Sequence, residues 1–332
     1  MVKKNGSKVL NLKTDSFVVE NKVCFPTDLK LLFQSLDKCL ALISKIDHKN
    51  PLSGWGKHCY WCKSLSMSSL RVSRIYRNKG KNYQKRLKKS VKVHLGFCDK
   101  IRKKLGVSLL EIKGLIEEAA MGKEHLTPLY EDLILFMAYF DKHVDLVTRR
   151  ILLEEKIPHE EKIFSLHEPH TEWISKGKSN KKVELGHAVC ITTNQEHFCL
   201  HWQVMEKQVD VDMPLIIKEF IQENYAKYRI ASWSFDRNFG SKENREELSK
   251  VVDYLVMPKK GKVSKKEREK LKQKEYSKYK RQHATVEANI NQLECLGAGK
   301  CRDKGIEGFK RYVGLSVLAY NLHRVGKKRK PQ

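Results

Sequence analysis

The spacing of apolar residues divides the chain into three zones with different expected secondary structure. Residues 8–24 are rich in Val, Leu and Phe and partly alternate with polar residues, which predicts a strand. From residue 28 to residue 157, apolar residues recur every three or four positions, which predicts a nearly all-helical zone that Pro158 closes. Residues 160–332 alternate between strand-like and helix-like stretches. We therefore expect an α/β protein with a large helical insertion after the first strand.

The order of elements in the third zone narrows the fold class. The stretches "ELGHAVCITT" and "HFCLHWQVM" are predicted strands, followed by a helix, the strand "YRIASWSF", a helix capped by Ser241, a short strand and two final helices. Preceded by the first strand, this order is that of the ribonuclease H-like mixed-sheet core. In that fold, acids lie on the first strand, at the end of the fourth strand and on the helix after the fifth. The residues at these places are Asp15, Asp236 and Glu287.

The same patterns predict the domain boundaries. Either Thr27 or Asp28 is expected to cap the first helix, because both lie just before its apolar periodicity begins. A basic segment separates the sheet from the last helices. The predicted segments are 1–26 (first strand of the core), 27–158 (helical insertion), 159–258 (remainder of the sheet), 259–282 (basic segment) and 283–332 (catalytic helix and C-terminal helix with a basic tail).

The net charge of +27 is concentrated in three segments. Residues 71–104, 259–281 and 321–332 together account for all of it, so the rest of the chain is close to neutral. Blocks of positive charge on a neutral body indicate a polyanionic partner, most simply nucleic acid. Surface charge that serves only solubility does not require such blocks. The expected contacts to DNA phosphates are Lys85, Arg86, Lys176, Lys178, Lys259, Lys260 and Arg281.

Other features of the sequence indicate in which cellular compartment the protein is expected. No run approaches about 18 apolar residues, and the Lys-containing N-terminus lacks the apolar centre of a secretory signal. We therefore expect no membrane association and a cytoplasmic, nucleoid-associated protein whose nine cysteines are reduced. Cys59 and Cys62 form a Cys-x-x-Cys motif, but a zinc site needs two more ligands and no second Cys pair follows. A surface or core pair is favoured, and the role of these cysteines stays open.

Asp236 is the clearest candidate for metal chemistry. Transfer of a phosphodiester is catalysed by pairs of Mg²⁺ ions, which prefer carboxylate and water oxygens as ligands. Asp236 follows a hydrophobic strand and directly precedes a turn. An acid at such a place often caps the next helix, but Ser241 lies closer to that helix and can cap it instead. We therefore interpret Asp236 as a metal ligand.

The other two acids each have a competitor in the sequence. Glu287 borders an apolar helical face directly after a basic run, and Glu294 lies further along the same stretch. Asp15 lies on the first strand, where an acid can also be a plain exposed residue, and Glu20 is the alternative. We favour Glu287 and Asp15. Glu168 or Glu172 could supply an additional acid, but we interpret their stretch, "EPHTEWISKGK", as a solvated turn.

Around these acids, the chain resembles the DDE transposases of bacterial insertion sequences, in particular an unclassified group close to the fourth and fifth insertion-sequence families. The resemblance implies that Asp15, Asp236 and Glu287 form a catalytic triad that binds two Mg²⁺ ions, for which Mn²⁺ can substitute. It also implies a homo-oligomer that cuts DNA at transposon terminal inverted repeats and transfers the 3′-OH strand into target DNA. The stretches that carry it are "KTDSFVVENKVCFPTDLKLL", "FSLHEPHTEWISKGKSNKKVELGHAVCI", "WSFDRNFGS" and "RQHATVEANINQLECLGAGKCRDKGIEGFKRYVGLSVLAYNLHRVG".

Two departures from that family leave alternatives open. Only 14 residues precede Asp15, whereas relatives usually carry an N-terminal DNA-binding region. Either the reading frame is truncated, or the helical insertion and the basic segments recognise the transposon ends. Tyr279 and Arg281 precede Glu287 at looser spacing than in relatives, and Glu294 stands where many relatives have Lys. A catalytically inactive DNA-binding remnant and a ribonuclease H-like nuclease are the alternative functions.

Overall fold

The computed structural model describes residues 9–117, 125–175, 183–259, 269 and 272–329. The chain divides into two compact units. One comprises Met1–Val23 and His170–Gln332, and the other comprises Cys24–Pro169. Among the described residues, no helix combines the length and the apolar character that a membrane crossing requires.

The unit Cys24–Pro169 is helical, which confirms the predicted helical zone. Thr27 caps its first helix, because the Thr27 side chain accepts a hydrogen bond from the Lys30 amide at 3.2 Å. The chain breaks between the second and third helices, around Gly80. The helices are α1 (Asp28–Asp47), α2 (His58–Arg77), α3 (Tyr83–Glu117) and α4 (Leu126–Val147).

Helix α3 shows how the sequence forms the core of this unit. Its buried residues recur at three- and four-residue spacing, and its Lys and Arg residues occupy the positions between them. Two of the buried residues of α3, His94 and Ser108, are polar, and both have hydrogen-bonding partners. Ser68 Oγ lies 2.9 Å from His94 Nδ1, and Trp55 Nε1 donates to Ser108 Oγ at 2.7 Å. The buried residues of α3 are Leu87, Val91, His94, Cys98, Ile101, Leu105, Ser108 and Ile112.

The other unit contains one mixed sheet. Its strands follow the order β2-β3-β1-β5-β6, with β4 also paired to β3 and β7 to the end of β1. β1 runs antiparallel to β3 and parallel to β5, and β5 runs parallel to β6. The strands are β1 (Val9–Asn21), β2 (Glu172–Ser175), β3 (Val183–Thr193), β4 (Cys199–Met205), β5 (Arg229–Phe235), β6 (Val252–Val256) and β7 (Lys300–Cys301).

Helices cover both faces of this sheet. Because side chains alternate along a strand, Leu10 and Leu12 of β1 pack on one face, and Phe17 and Val19 pack on the other. The first face packs against α5 and α6, and the second packs against α8 and α9. The helices of this unit are α5 (Met213–Asn224), α6 (Lys242–Ser249), α7 (Lys274–His283), α8 (Thr285–Leu293) and α9 (Gly305–Arg329).

Two parts of this sheet differ from the sequence-based expectation. The interpretation of "EPHTEWISKGK" as a turn is wrong for Glu172, because Glu172–Ser175 forms β2 and pairs with β3. Glu172 is half-buried, where it accepts a hydrogen bond from the Lys207 amide at 2.8 Å and lies 3.2 Å from His187 Nδ1. The two-residue strand β7 was not predicted either.

Candidate active site

Asp15 and Asp236 are brought together by the parallel pairing of β1 and β5. In this register, Thr14 lies opposite Phe235, so the next residues along the two strands are Asp15 and Asp236. Phe235 is buried, which fixes the end of β5 in the core, and Asp236 continues in extended conformation into the short turn Arg237–Phe239. Asp15 therefore lies within β1 just beyond its pairing with β5, beside Asp236, which directly follows the last residue of β5.

Asp236 does not act as a helix cap. Its side chain makes no capping hydrogen bond to the turn that follows. Ser241 caps α6 instead, because its hydroxyl accepts a hydrogen bond from the Asn244 amide at 2.9 Å. The Asp236 carboxylate is exposed, and it is therefore available to a ligand.

Glu287 lies in the first turn of α8, over the face of the sheet that carries Asp15. Two side-chain hydrogen bonds fix the junction of α7 and α8 on the sheet. Lys13 Nζ donates to Thr285 Oγ1 at 2.9 Å, and His283 Nδ1 lies 3.1 Å from Ser234 Oγ. The apolar side of α8 is buried in the core of this face, which leaves Glu287 exposed at its border.

The acids influence one another electrostatically. Burial raises the pKa of Asp15 to about 7, and the nearby negative charges of Asp236, Asp210 and Glu287 also raise it. The Ser16 amide, which donates to Asp15 Oδ1 at 2.8 Å, acts in the opposite direction. Because charges shift a pKa only at short range, all three predicted acids lie in one electrostatic neighbourhood.

Asp210 is an acid of this neighbourhood that the sequence analysis missed. It lies in the turn Asp210–Asp212, which leads from β4 into α5. Its Oδ1 accepts a hydrogen bond from Ser16 Oγ at 2.6 Å, next to Asp15. The sequence did contain a pattern that could have identified Asp210, because an acid follows soon after a predicted strand in "VDVDMP". The same pattern identified Asp236.

The competing acids lie elsewhere. Glu20 pairs with Gly186 of β3 and Lys300 of β7, at the end of β1 that is remote from β5. Glu294 is exposed and begins the short π-helical segment Glu294–Ala298 after α8. Neither acid contributes to the raised pKa of Asp15.

The donor chemistry of this site fits a divalent cation. Asp15, Asp210, Asp236 and Glu287 offer only carboxylate oxygens, the ligands that Mg²⁺ prefers. The pKa of Asp15 is raised chiefly by burial and in smaller part by neighbouring negative charge, which a bound cation would neutralise. Within the described parts of the chain, no group of three or more His, Cys, Asp or Glu side chains is arranged as a ready-made metal cluster.

The basic residues predicted to contact DNA are only partly covered by the structure. Lys259 is exposed after β6, Arg281 is exposed near the end of α7, and Lys85 and Arg86 are exposed at the start of α3. Cys59 and Cys62 lie in the first turns of α2 as free thiols. The remaining predicted contacts, Lys176, Lys178 and Lys260, lie outside the described residues.

One comparison with known proteins gave a match. The family model described as the transposase DDE domain matches residues 156–322. The matched segment contains Asp210, Asp236 and Glu287, and Asp15 precedes it. No curated protein and no solved structure matched the chain.

Proposed function

The chain belongs to the transposase DDE domain family, and from this premise we propose that it cuts transposon-end DNA and joins the freed 3′-OH to target DNA. Membership implies transposase function and DNA binding, and enzymes of this family are typically polynucleotidyl transferases. We propose the terminal inverted repeats of a bacterial insertion sequence as the ends that are cut, and a homo-oligomer as the form that pairs them.

The sheet topology supports a ribonuclease H-like core. Three strands, β4, β3 and β1, are joined by antiparallel pairing, and β5 and β6 then add in parallel. Parallel neighbours end at the same edge of a sheet, which is where open α/β sheets bind ligands. This topology accounts for two acids at one edge and for a helix that can bring a third acid to them.

The register of β1 and β5, which places Asp15 beside Asp236, is the observation that carries the proposal, and Glu287 lies over the same face of the sheet. These three carboxylates would hold two Mg²⁺ or Mn²⁺ ions, which when bound activate an attacking oxygen and stabilise a leaving one. Asp15 and Asp236 are positioned by the strand register, and Glu287 by the anchored start of α8. Asp210 holds the Ser16 hydroxyl beside Asp15 and adds negative charge to the site.

The exposed basic residues support binding of a DNA backbone. Lys259 and Arg281 belong to the same unit as the acids, and Lys85 and Arg86 belong to the helical unit. Contacts of this kind release counterions, so the affinity for DNA should fall steeply as salt is raised. This salt dependence is independent of any cutting, and it can be measured without a metal.

The test is metal-dependent cutting of DNA that carries the inverted repeats flanking the gene. We expect Mg²⁺- or Mn²⁺-dependent nicking at the repeat ends and joining of the 3′ ends to a second DNA. Asp236→Asn should abolish both steps while DNA binding is retained. Glu219→Gln, which removes one exposed negative charge on α5, is the matched control and should cut normally.

Three outcomes would overturn the proposal. Binding of the repeats without cutting under any metal condition would indicate an inactive DNA-binding remnant. Cutting of structured RNA or of branched DNA without joining would indicate a ribonuclease H-like nuclease. Equal activity of the wild type and of Asp236→Asn would remove Asp236 from the reaction.

A further inference from the structure

A polar cavity lies beside the candidate active site. It has a volume of about 220 Å³ and is bounded by β1, β5, the loop after β3 and the α7–α8 junction. No Asp or Glu lines it. Among its lining residues are Lys13, Gln195, His197, Ser232, Tyr279 and Thr285, which offer a cationic group, hydroxyls, amides and an aromatic ring.

Lys13 is the charged group of this cavity, and it is buried. Only 7% of its surface is exposed, although it is a lysine. Its Nζ donates to Thr285 Oγ1 at 2.9 Å, and that hydroxyl in turn donates to the Gln282 carbonyl at 2.7 Å. Within the described residues, Lys13 forms no ion pair with an acid. A buried cation without an anionic partner is energetically costly.

Two further basic side chains lie close to Lys13. Arg324 Nη2 donates to Asn289 Oδ1 at 3.2 Å, and His197 Nδ1 lies 3.1 Å from the same oxygen. Burial lowers the pKa of His197, and the positive charges of Lys13 and Arg324 lower it further. Lys13 and Arg324 therefore bring positive charge to a cavity that no carboxylate lines, and this favours a bound anion over a bound metal ion.

The position of Lys13 indicates which anion would bind. Lys13 and Asp15 are two residues apart on β1, so their side chains leave the same face of the strand about 7 Å apart. A group held by Lys13 would lie next to the group held at the acids. If the acids bind the phosphodiester that is cut, the neighbouring anion on the same strand is the next phosphodiester. Lys13 Nζ carries two protons beyond the one it donates to Thr285, and the Tyr279 hydroxyl also lines the cavity, so both groups are suitable hydrogen-bond donors for phosphate oxygens.

We propose that this cavity binds a phosphodiester group of the DNA strand, adjacent to the one that is cut, with Lys13 as its charged ligand. This inference rests on the proposed transposase function, because that function supplies the strand. The binding of a simple anion, however, can be measured on its own.

The first experiment measures anion binding without metal and without DNA. The melting temperature of the full chain is compared in inorganic phosphate and in chloride at equal ionic strength. Phosphate should raise the melting temperature of the wild type and not that of Lys13→Met. The matched control is Lys227→Met, which removes an exposed lysine after α5 and should respond like the wild type. Lys13→Arg, which restores the charge, should recover part of the response.

A second variant tests the proposal even if Lys13→Met fails to fold. Thr285→Val removes the hydroxyl that Lys13 contacts while the positive charge stays, and it should weaken the phosphate response without abolishing it. If Lys13→Met does not fold, the proposal is tested by the phosphate response of Thr285→Val, with Lys13→Arg as the variant that keeps the charge. An unchanged phosphate response in Thr285→Val, or in a folded Lys13→Met, overturns the proposal.

The second experiment uses DNA in the presence of a chelator. Loss of one phosphate contact should reduce the slope of log affinity against log salt by about one in Lys13→Met. Lys227→Met should keep the wild-type slope. An unchanged slope in Lys13→Met overturns the assignment of DNA as the ligand. Because neither experiment involves cutting, a loss of phosphate binding in Lys13→Met supports the site even when the wild type fails to cut DNA.

Discussion

Replacement of Asp15 by Asn tests the electrostatics of the site directly. In the folded protein the pKa of Asp15 is raised from its ordinary value of 3.8 to about 7, chiefly by burial. A carboxyl whose pKa is raised on folding is stable in its neutral form, so its ionisation opposes folding. The free energy of unfolding of the metal-free wild type should therefore fall as the pH rises from about 4 to about 7.

The magnitude follows from the size of this shift. A difference of roughly 3 units corresponds to at most about 4 kcal/mol, fully expressed above pH 7. Asn at position 15 has the shape of the neutral carboxyl and no charge. Asp15→Asn should therefore stabilise the metal-free protein by a few kcal/mol at about pH 8, and this gain should fade towards pH 4.

The assay is urea denaturation, followed by circular dichroism at several pH values in a chelator. The difference between variant and wild type removes the titration of groups that both proteins share. Glu219→Gln is the control for the loss of one negative charge and should show no comparable pH dependence. Added Mg²⁺ or Mn²⁺ should stabilise the wild type more than Asp15→Asn, because a cation that binds only the folded form adds to its stability.

Two results would refute this reasoning. A stability difference between Asp15→Asn and the wild type that does not change with pH would mean that Asp15 is ionised in both states. Destabilisation by Asp15→Asn at high pH in the chelator would mean that the charge of Asp15 is favourable without a cation. Either result would remove the electrostatic argument for a cation site.

Three further substitutions test separate features of the fold, each by urea denaturation. Ser16→Ala removes the hydroxyl that donates to Asp210 at 2.6 Å and should cost about 1 kcal/mol, and no loss would mean that this bond does not form in solution. Thr27→Ala removes the cap of α1 and should also cost about 1 kcal/mol, whereas Thr27→Ser should be nearly neutral. Gly186→Ala would place a Cβ 2.0 Å from the Val19 carbonyl oxygen, so it should cost more than about 4 kcal/mol, and normal stability would contradict the register of β1 and β3.

The sequence predicted the elements that have strong periodicity. The helical zone, the strand pair β3–β4 and the strand before Asp236 have apolar patterns long enough to identify their type. Strand β2 was missed because it has four residues, none of them buried, and β7 has only two residues. Strands of this length exist because a neighbouring strand pairs with them, and such pairing leaves no pattern in the sequence.

The candidate site was predicted less completely than the fold. Position along the chain was enough to favour Asp15 over Glu20, although only the register of β1 explains why Glu20 is remote from β5. Asp210 was missed because an acid after a strand is ordinarily a cap. Two residues further on, Asp212 has that role, since it accepts a hydrogen bond from the Val209 amide at 2.9 Å. The burial of Lys13 was equally hidden, because it depends on the helix that covers β1.

The candidate acids are thus positioned by two kinds of contact, backbone pairing and side-chain hydrogen bonds. The Asp15–Asp236 half depends on the backbone ladder between β1 and β5, which is continuous with the core. These two strands cannot shift relative to each other by less than a full register step. The Glu287 half depends on the Lys13–Thr285 and His283–Ser234 side-chain contacts, which fix the start of α8 on the sheet. The acids predicted to bind cations are therefore held by a backbone ladder on one side and by side-chain contacts on the other.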